Sequence, residues 1–287
     1  MRKGVLDIGS NTVKFKIFEG DRLFLFHTYP VQIGTGLREN QLTQTMIDKI
    51  RFCFEGVKNE LESNQAELSR VIGTSAIRDA ENSSEIEKII DHLFQKKMEI
   101  IPGSQEAELI YKGVRKGIKS STPYLICDIG GGSVELIYST NKEILKAFSF
   151  EVGVIKLYKL RKNADPFSTK DIDYYMQYLD QQMGEFLTDV QTKYLVGAAG
   201  SFESLYTLVR NNEYPGSFEE LSMEELNGIL EIILKSTQLE RDENQLIPFE
   251  RKILLPLGAI LVKYLINKLE INKFTVSPNS LIEGLDL

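Results

Sequence analysis

The stretches DIGSNT at residues 7–12 and DIGGGS at residues 128–133 decide the fold of this 287-residue chain. Each stretch follows a short apolar run and precedes a run in which apolar and polar residues alternate. That pattern is typical of two β-strands joined by a tight turn. The two stretches align at an offset of 121 residues (128 minus 7). The sequence therefore predicts the same β-hairpin in two places.

Two further segments repeat in the same order as the hairpins. Residues 31–34 match residues 150–153, and residues 71–73 match residues 195–197, at offsets similar to that of the hairpins. Three matches in one order indicate an internal repeat rather than an accidental similarity. Each copy follows a β-β-β-α-β-α pattern of strand and helix signals.

The repeat predicts an α/β protein built from two similar domains that face each other across a cleft. The predicted domains are residues 1–121 and 122–287, and the last helix is left open to pack back on the first domain. Between them, Ser120-Ser121-Thr122-Pro123 combines small polar residues with a proline, which is typical of a linker. A chain of this length is near the size at which one hydrophobic core divides into two.

Composition limits the class of protein. The chain has 34 basic and 41 acidic residues and a net charge of −7, which argues against a general nucleic-acid or anionic-membrane binder. Two cysteines and two histidines provide neither a disulfide framework nor a histidine-rich metal site. No signal peptide is visible, and the most apolar stretch is too short to span a bilayer. We therefore expect a cytoplasmic protein that binds neither nucleic acid nor membrane.

The two hairpins have the composition of an anion site. Glycine allows the chain to turn tightly, so that backbone N–H groups approach an anion closely. Ser10, Thr12 and Ser133 add hydroxyl donors, and the aspartate that ends each first strand suits a hydrated Mg²⁺ ion. The alternative is a pair of glycine-rich turns with a purely structural role, which the repetition makes less favourable. A P-loop is excluded, because no G-x-x-x-x-G-K-[ST] occurs.

A second candidate for chemistry lies in the stretch IPGSQEA at residues 101–107. Ser104 resembles a helix N-cap, which would place Glu106 in the first helical turn. A carboxylate there could act as a general base towards water, or it could only interact favourably with the helix dipole. Glu135, in the second hairpin, has a similar alternative as an exposed strand residue.

These residues resemble a known family, the exopolyphosphatase/guanosine pentaphosphate phosphohydrolases (Ppx/GppA), in a short two-domain form. The resemblance implies two tandem ribonuclease H-like domains of the actin-like ATPase superfold. The match at Glu106 distinguishes this family from kinases and chaperones of the same superfold, whose phosphate loops are similar. The matching segments are residues 7–12, 73–82 (GTSAIRDAEN), 103–107, 128–135, 149–157 (family motif S-x-x-x-G-x-x-x-L) and 280–285 (family motif G-L-R-E-G).

The resemblance implies hydrolysis of a terminal phosphoanhydride with Mg²⁺, on inorganic polyphosphate or on guanosine penta- or tetraphosphate. By motif position, Glu106 is the water-activating base, Asp7, Glu106 and Asp128 face the metal, and Glu135 assists there. The residues implied to hold the phosphates are Ser10, Asn11, Thr12, Lys14, Arg78, Gly130, Gly131, Gly132 and Ser133.

Several positions depart from the family pattern. Lys14 stands where arginine is frequent, and Gln32 and Ile282 replace the arginines of R-L-G and G-L-R-E-G. Gln105 and Pro102 replace a glutamate and a serine beside the implied base. The loss of three guanidinium groups removes planar anion recognition. Of the three replacing residues, only Lys14 keeps a charge. The departures concern substrate affinity and substrate choice rather than the metal and water chemistry.

Two other functions remain open from the sequence. The missing arginines favour a non-catalytic sensor that binds polyphosphate or guanosine tetraphosphate in the same cleft. A kinase or ATPase of the same superfold is the third hypothesis, because the phosphate loops alone do not separate these classes. The oligomeric state is also open, with a homodimer as one option.

Overall fold

The computed structural model describes residues 1–286, which divide into two compact units. Unit 1 comprises residues 1–106 together with Asp286, and unit 2 comprises residues 107–285. The sequence predicts a boundary at 121/122, whereas the units divide between Glu106 and Ala107. The division falls earlier because the helix that begins at Gly103 continues into residues that pack within unit 2. Gly113 of this helix, for example, lies directly against the backbone of Ser280.

Unit 1 is a five-stranded mixed sheet with helices that cover its apolar side chains. The sheet order is β3-β2-β1-β6-β7, in which β1, β2 and β3 are antiparallel and β6 and β7 run parallel to β1. A separate two-stranded ribbon pairs β4 with β5. The elements are β1 (Arg2–Ile8), β2 (Val13–Glu19), β3 (Arg22–Tyr29), a 3₁₀ helix (Ile33–Gly36), β4 (Leu37–Arg38), β5 (Gln41–Leu42), α1 (Gln44–Ser63), β6 (Ala66–Gly73), α2 (Ser75–Arg78), α3 (Ser84–Phe94) and β7 (Glu99–Ile100).

Helix α1 shows how the local sequence of unit 1 determines its packing. Thr43 caps the helix, since its side chain accepts a hydrogen bond from the backbone N–H of Met46. Apolar residues at helical spacing, among them Ile50, Phe54 and Val57, are fully buried against the sheet core. The hydrophobic core of unit 1 therefore lies on the side of the sheet that faces α1 and α3.

Unit 2 repeats this sheet and extends it by one strand. The order is β10-β9-β8-β11-β13-β12, with β8, β9 and β10 antiparallel and with β11 and β13 parallel to β8. The added edge strand β12 pairs antiparallel with β13. The elements are α4 (Gly103–Val114, which begins in unit 1), β8 (Tyr124–Ile129), β9 (Val134–Ser139), β10 (Ile144–Phe150), α5 (Val154–Leu160), α6 (Thr169–Leu187), β11 (Tyr194–Ala198), α7 (Gly200–Arg210), β12 (Glu219–Leu221), α8 (Met223–Lys235), α9 (Gln238–Glu243), a 3₁₀ helix (Phe249–Arg251), α10 (Leu255–Leu269), β13 (Lys273–Ser277) and a 3₁₀ helix (Ile282–Gly284).

The last long helix, α10, is buried along nearly its whole length. Its neighbours include α5, α6 and α8, and its residues belong to the core of unit 2. Helix α6 begins at a capping box in which Ser168 and Asp171 satisfy each other's backbone N–H groups. Within residues 1–286, no helix combines the length and the apolar composition needed to cross a membrane.

The internal repeat is confirmed, because both units place five strands in the ribonuclease H-like order 3-2-1-4-5 when the ribbon β4-β5 and the edge strand β12 are left out of the count. Two of its three sequence matches are displaced by two positions. Asp7 pairs with Ile72 and the equivalent Asp128 pairs with Ala198, so Ile72 corresponds to Ala198 rather than to Val196.

The match near residue 32 is displaced in the same way. The N–H of Gln32 bonds to the carbonyl of Asn11, and the N–H of Gly153 bonds to the carbonyl of Gly132. Gln32 therefore corresponds to Gly153, at the hairpin offset of 121, and not to a residue two positions earlier. The match of residues 31–34 to residues 150–153 depends on the glycine that ends both segments. The two units share backbone positions here rather than residue types.

Candidate active site

The hairpin of unit 2 is a four-residue turn, residues 130–133, between β8 and β9. The N–H of Gly130 bonds to the carbonyl of Ser133 at 3.0 Å. The carbonyls of residues 130, 131 and 132 accept hydrogen bonds at 3.1, 2.8 and 3.3 Å from the N–H groups of residues 154, 155 and 153, at the start of α5. Because these carbonyls point towards α5, the N–H groups of the same peptide units point away from α5. Successive amides arranged in this way form a concave site for an anion.

Gly153 allows α5 to approach the turn this closely. A Cβ atom at position 153 would lie 2.4 Å from the carbonyl carbon of Gly131 and 2.5 Å from that of Gly132. No real Cβ makes such contacts with backbone, so any larger residue must displace the hairpin. This close approach explains why the family motif S-x-x-x-G-x-x-x-L has glycine at this position.

We expect Gly153→Ala to lower both the unfolding free energy of the chain and the binding of phosphate by the hairpin. Overpacking of this kind costs about 1–3 kcal/mol of unfolding free energy, and the displaced amides no longer match a phosphate. Thermal unfolding and phosphate binding would be measured together. Gly228→Ala in α8 is the matched control, since a Cβ there meets nothing within 4 Å and should stabilise the helix by up to about 1 kcal/mol. Phosphate binding by Gly153→Ala at the level of Gly228→Ala would contradict this assignment.

The hairpin of unit 1 has three equivalent hydrogen bonds, of which the one from Gln32 to Asn11 is described above. The N–H of Gly9 bonds to the carbonyl of Thr12 at 3.1 Å, and the carbonyl of Ser10 accepts from the N–H of Gly34 at 2.7 Å. In addition, the Ser10 hydroxyl accepts a hydrogen bond from the N–H of Ala76 at 3.1 Å, at the start of α2. The hydroxyl oxygen therefore holds α2 against the turn, and its proton is the part that suits a phosphate oxygen.

A row of polar side chains crosses the first three strands of each unit beside the hairpin. In unit 2, Asp128 lies opposite Glu135, and Glu135 lies opposite Ser149. In unit 1, the row at the same offset of 121 is Asp7, Lys14 and Thr28. Directly opposed residues have Cβ atoms about 5 Å apart. The two rows thus differ in their middle residue, which is a carboxylate in unit 2 and an ammonium group in unit 1.

Asp128 and Glu135 form a buried carboxylate pair, with exposures of only 7% and 1%. The Ser280 hydroxyl donates to Asp128 Oδ2 at 2.6 Å, and the Ser149 hydroxyl donates to Glu135 Oε1 at 2.7 Å. Two adjacent buried carboxylates repel each other unless a cation or a proton lies between them. Mg²⁺ is commonly held by one or two carboxylates together with phosphate oxygens and water, so this donor set fits the ion.

The rest of the predicted metal set is not gathered in this way. Across residues 1–286, no group of three or more His, Cys, Asp or Glu side chains is close enough to hold a metal ion. Asp7 lies opposite Lys14 on the neighbouring strand β2. The roles of Asp7, Glu106 and Asp128 as metal ligands remain predictions.

Glu106 lies in the first turn of α4, as the sequence predicts, but Ser104 does not cap the helix. The helix begins one residue earlier, at Gly103, and the N–H of Glu106 bonds to the carbonyl of Pro102 at 3.0 Å. The prediction of an N-cap at Ser104 was wrong because proline precedes the helix and supplies its carbonyl as the first acceptor. Glu106 is 8% exposed, so its carboxylate is nearly buried.

Arg78 connects Glu106 to the loop before α4. Its Nη1 atom donates to the carbonyl of Ile101 at 2.7 Å and lies 3.5 Å from Glu106 Oε2. The guanidinium charge stabilises the ionised form of this carboxylate, which is the form that accepts a proton. Arg78 thus lies beside the candidate base.

The sequence matches a described protein family over most of its length. The model of the Ppx/GppA phosphatase family matches residues 27–287. The chain belongs to this family. In this Ppx/GppA chain, the predicted site residues are divided between the two units. The group of unit 1 is Asp7, Ser10, Asn11, Thr12, Lys14, Arg78 and Glu106, and the group of unit 2 is Asp128, Gly130, Gly131, Gly132, Ser133 and Glu135.

Two curated relatives of this Ppx/GppA chain share one name. The guanosine-5'-triphosphate,3'-diphosphate pyrophosphatase of Vibrio campbellii is 27% identical over 261 residues, which are 89% of this chain and 52% of the relative. That of Photobacterium profundum is 24% identical over the same shares. The chain spans about half the length of these curated relatives.

Solved structures show the same fold. A crystal structure of an exopolyphosphatase from Cytophaga hutchinsonii is similar with a TM-score of 0.93 and 26% identity, covering 99% of this chain and 96% of that one. The Ppx/GppA family member of Aquifex aeolicus has a TM-score of 0.82 and 22% identity, with coverages of 99% and 95%. The latter likeness concerns the fold alone.

The cysteines of this Ppx/GppA chain take no part in the site chemistry. Burial raises the pKa of the Cys127 thiol well above its ordinary value, and the carboxylates of Asp128 and Glu135 raise it further. Burial likewise raises the pKa of Cys53 to about 12. Both cysteines are therefore protonated thiols at neutral pH, and neither is a thiolate ligand or nucleophile.

Sequence reasoning matched the motifs that contain Ser149 and Ser280 but gave these serines no role. The contact of Ser149 with Glu135 could have been found, because the predicted strands place both residues at matching positions of neighbouring strands. The contact of Ser280 with Asp128 joins residues 152 positions apart. No local pattern predicts that contact.

Proposed function

We propose that this chain is a metal-dependent phosphohydrolase that releases the terminal phosphate of inorganic polyphosphate, of guanosine pentaphosphate, or of both. The observation that carries the proposal is the buried carboxylate pair of Asp128 and Glu135 at the end of a glycine hairpin. Paired carboxylates are ligands that Mg²⁺ prefers, and the hairpin amides suit the phosphate oxygens of a substrate. The names of the relatives, pyrophosphatase and exopolyphosphatase, support the same substrates.

Each side chain has a distinct part in the proposed reaction. Asp128 and Glu135 would hold Mg²⁺, which would supply positive charge to neutralise the phosphate oxygens. The hairpin amides and hydroxyls orient the phosphate chain, since phosphoryl transfer depends chiefly on positioning and charge stabilisation. Glu106 accepts a proton from the attacking water as the new O–P bond forms. The bridging P–O bond breaks, and the remaining phosphate chain leaves with the electron pair.

The departures from the family motif bear on substrate choice. Gln32 and Ile282 replace arginines whose planar groups would form paired hydrogen bonds with phosphate. Arg78 remains, but its Nη1 atom already bonds to the carbonyl of Ile101. We propose that the backbone amides of the two hairpins provide most of the phosphate binding in this chain. Backbone amides that bind phosphate do not recognise a guanine base. Inorganic polyphosphate is therefore the substrate that this arrangement supports best.

We also propose a cytoplasmic location, which is supported by the two free, buried cysteines in the described part of the chain. A homodimer stays a prediction. The proposed partners are the phosphate substrates, without nucleic acid or membrane.

Phosphate release by the full chain tests the proposed function. Inorganic polyphosphate and guanosine pentaphosphate would be supplied side by side, with Mg²⁺ and with excess EDTA. We expect release that is lost with EDTA and restored by added Mg²⁺. Tight calorimetric binding of either substrate without release over hours would instead indicate the sensor function. Phosphate transfer from ATP to an acceptor would indicate a kinase.

A further inference from the structure

The hydroxyl of Ser280 touches one carboxylate of the proposed metal site. Its Oγ atom donates to Asp128 Oδ2 at 2.6 Å, and both side chains are buried. Ser280 occupies the first position of the segment that resembles G-L-R-E-G, where the motif has glycine. This hydroxyl is therefore a feature of this chain that the family motif does not contain.

The segment that carries Ser280 is held rigidly on several sides. The N–H of Ser280 donates to Glu283 Oε2 at 2.9 Å, and Asn279 Nδ2 donates to the carbonyl of Gly113 at 3.0 Å. A Cβ atom at Gly113 would lie 2.1 Å from the carbonyl oxygen of Ser280, so this segment packs directly on the backbone of α4. The Ser280 hydroxyl is thus fixed by its backbone before it contacts Asp128.

The same arrangement occurs on the second carboxylate. Ser149 donates to Glu135 Oε1 at 2.7 Å, so each carboxylate of the pair has a serine hydroxyl on one oxygen. A donor on one oxygen fixes the rotation of the carboxylate and therefore the direction of the other oxygen. Partners of this kind orient metal ligands, and their loss typically weakens metal binding by about 10–100-fold.

We propose that Ser280 is a positioning residue that orients Asp128 and thereby sets the affinity of this chain for its divalent cation. The inference rests on the proposed function only in that Asp128 binds the metal. Ser280 itself does not touch the reacting atoms. It acts through the orientation of one carboxylate, whose partner Glu135 is oriented independently by Ser149.

Titration of the full chain with Mn²⁺ alone, followed by electron paramagnetic resonance, tests the inference without turnover. Ser280→Ala should raise the Kd for Mn²⁺ by about 10–100-fold, while Ser280→Thr, which keeps the hydroxyl, should restore much of the affinity. Ser236→Ala is the matched control, because its hydroxyl bonds to Ile233 and Arg241 and has no contact with Asp128. In turnover, Ser280→Ala should need more Mg²⁺ for half-maximal rate, with kcat recovered at saturating Mg²⁺.

The outcomes separate the inference from the proposed function. If Ser280→Ala binds Mn²⁺ within twofold of the wild-type chain, the positioning role is wrong, whether or not phosphate is released. If Ser280→Ala lowers kcat at saturating Mg²⁺ with an unchanged metal requirement, a structural role replaces the positioning role. If wild-type protein binds Mn²⁺ and Ser280→Ala weakens it, but no substrate is hydrolysed, the inference holds and the proposed function fails.

Discussion

Glu106→Gln is expected to reduce the kcat for phosphate release by about 10²–10⁴-fold, the usual contribution of a positioned general base. Glutamine has nearly the same size and keeps an oxygen near Arg78, but it cannot accept the proton of the attacking water. Substrate affinity should change little, and the melting temperature should fall modestly, because glutamine keeps the volume of Glu106 but loses its charge interaction with Arg78. The measurement is kcat and KM for polyphosphate at saturating Mg²⁺, together with thermal unfolding.

The same helix supplies a matched control for this variant. Glu108 lies two residues beyond Glu106 and is exposed to solvent, so Glu108→Gln removes a charge of the same kind without touching the candidate base. We expect Glu108→Gln to retain wild-type kcat. If Glu106→Gln retains it as well, Glu106 is only a favourable partner of the helix dipole, which is the alternative that the sequence leaves open.

Local signals predicted most of the elements around the site. The hairpins at residues 7–12 and 128–133 follow from alternating strands and glycine turns, and the equivalent hydrogen bonds in both confirm them. Helices α1 and α6 begin at local N-caps, Thr43 and Ser168, whose side chains bond within their own first turns. These features depend on residues within a few positions of one another, which is why one sequence suffices to predict them.

The differences from the sequence analysis arise where contacts between distant segments decide the outcome. The boundary between the compact units falls within α4, because Gly113 packs on the segment of Ser280, 167 residues further along. Strand β12 was not predicted, since only pairing with β13 stabilises this three-residue element. A match of residue types misplaced Gln32 by two positions in the repeat. The backbone hydrogen bonds of Gln32 and Gly153 show that these two residues correspond, and no pattern of residue types contains that information.

The candidate site divides in the same way between local and distant information. The opposition of Asp128 to Glu135 follows from a four-residue turn, so the predicted hairpin already contains it. The corresponding opposition of Asp7 to Lys14 also follows from its hairpin and shows that unit 1 replaces a carboxylate with a cation. The serine on Asp128, in contrast, comes from the far end of the chain. Sequence therefore predicts which groups carry the chemistry, and the tertiary fold determines how they are oriented.

Asp128→Asn is expected to abolish most phosphate release while leaving the chain as stable as before, or slightly more stable without metal. Loss of a metal ligand removes several kcal/mol of charge stabilisation, which corresponds to a loss of about 10²–10⁴-fold in kcat. Folding should not suffer, because the asparagine oxygen can still accept the hydrogen bond from Ser280. The variant also removes one of two opposed carboxylate charges, and like charges directly opposite each other are destabilising.

Thermal unfolding with and without Mg²⁺ distinguishes this explanation from simple loss of structure. A ligand that binds only the folded state raises the melting temperature, so Mg²⁺ should stabilise the wild-type chain and leave Asp128→Asn nearly unchanged. Asp173→Asn, an exposed position on α6, is the control and should keep both the Mg²⁺ response and the activity. If Asp128→Asn retains the Mg²⁺ response, the cation binds elsewhere. If the variant unfolds several degrees lower without metal, the carboxylate pair is a structural element rather than the centre of the chemistry.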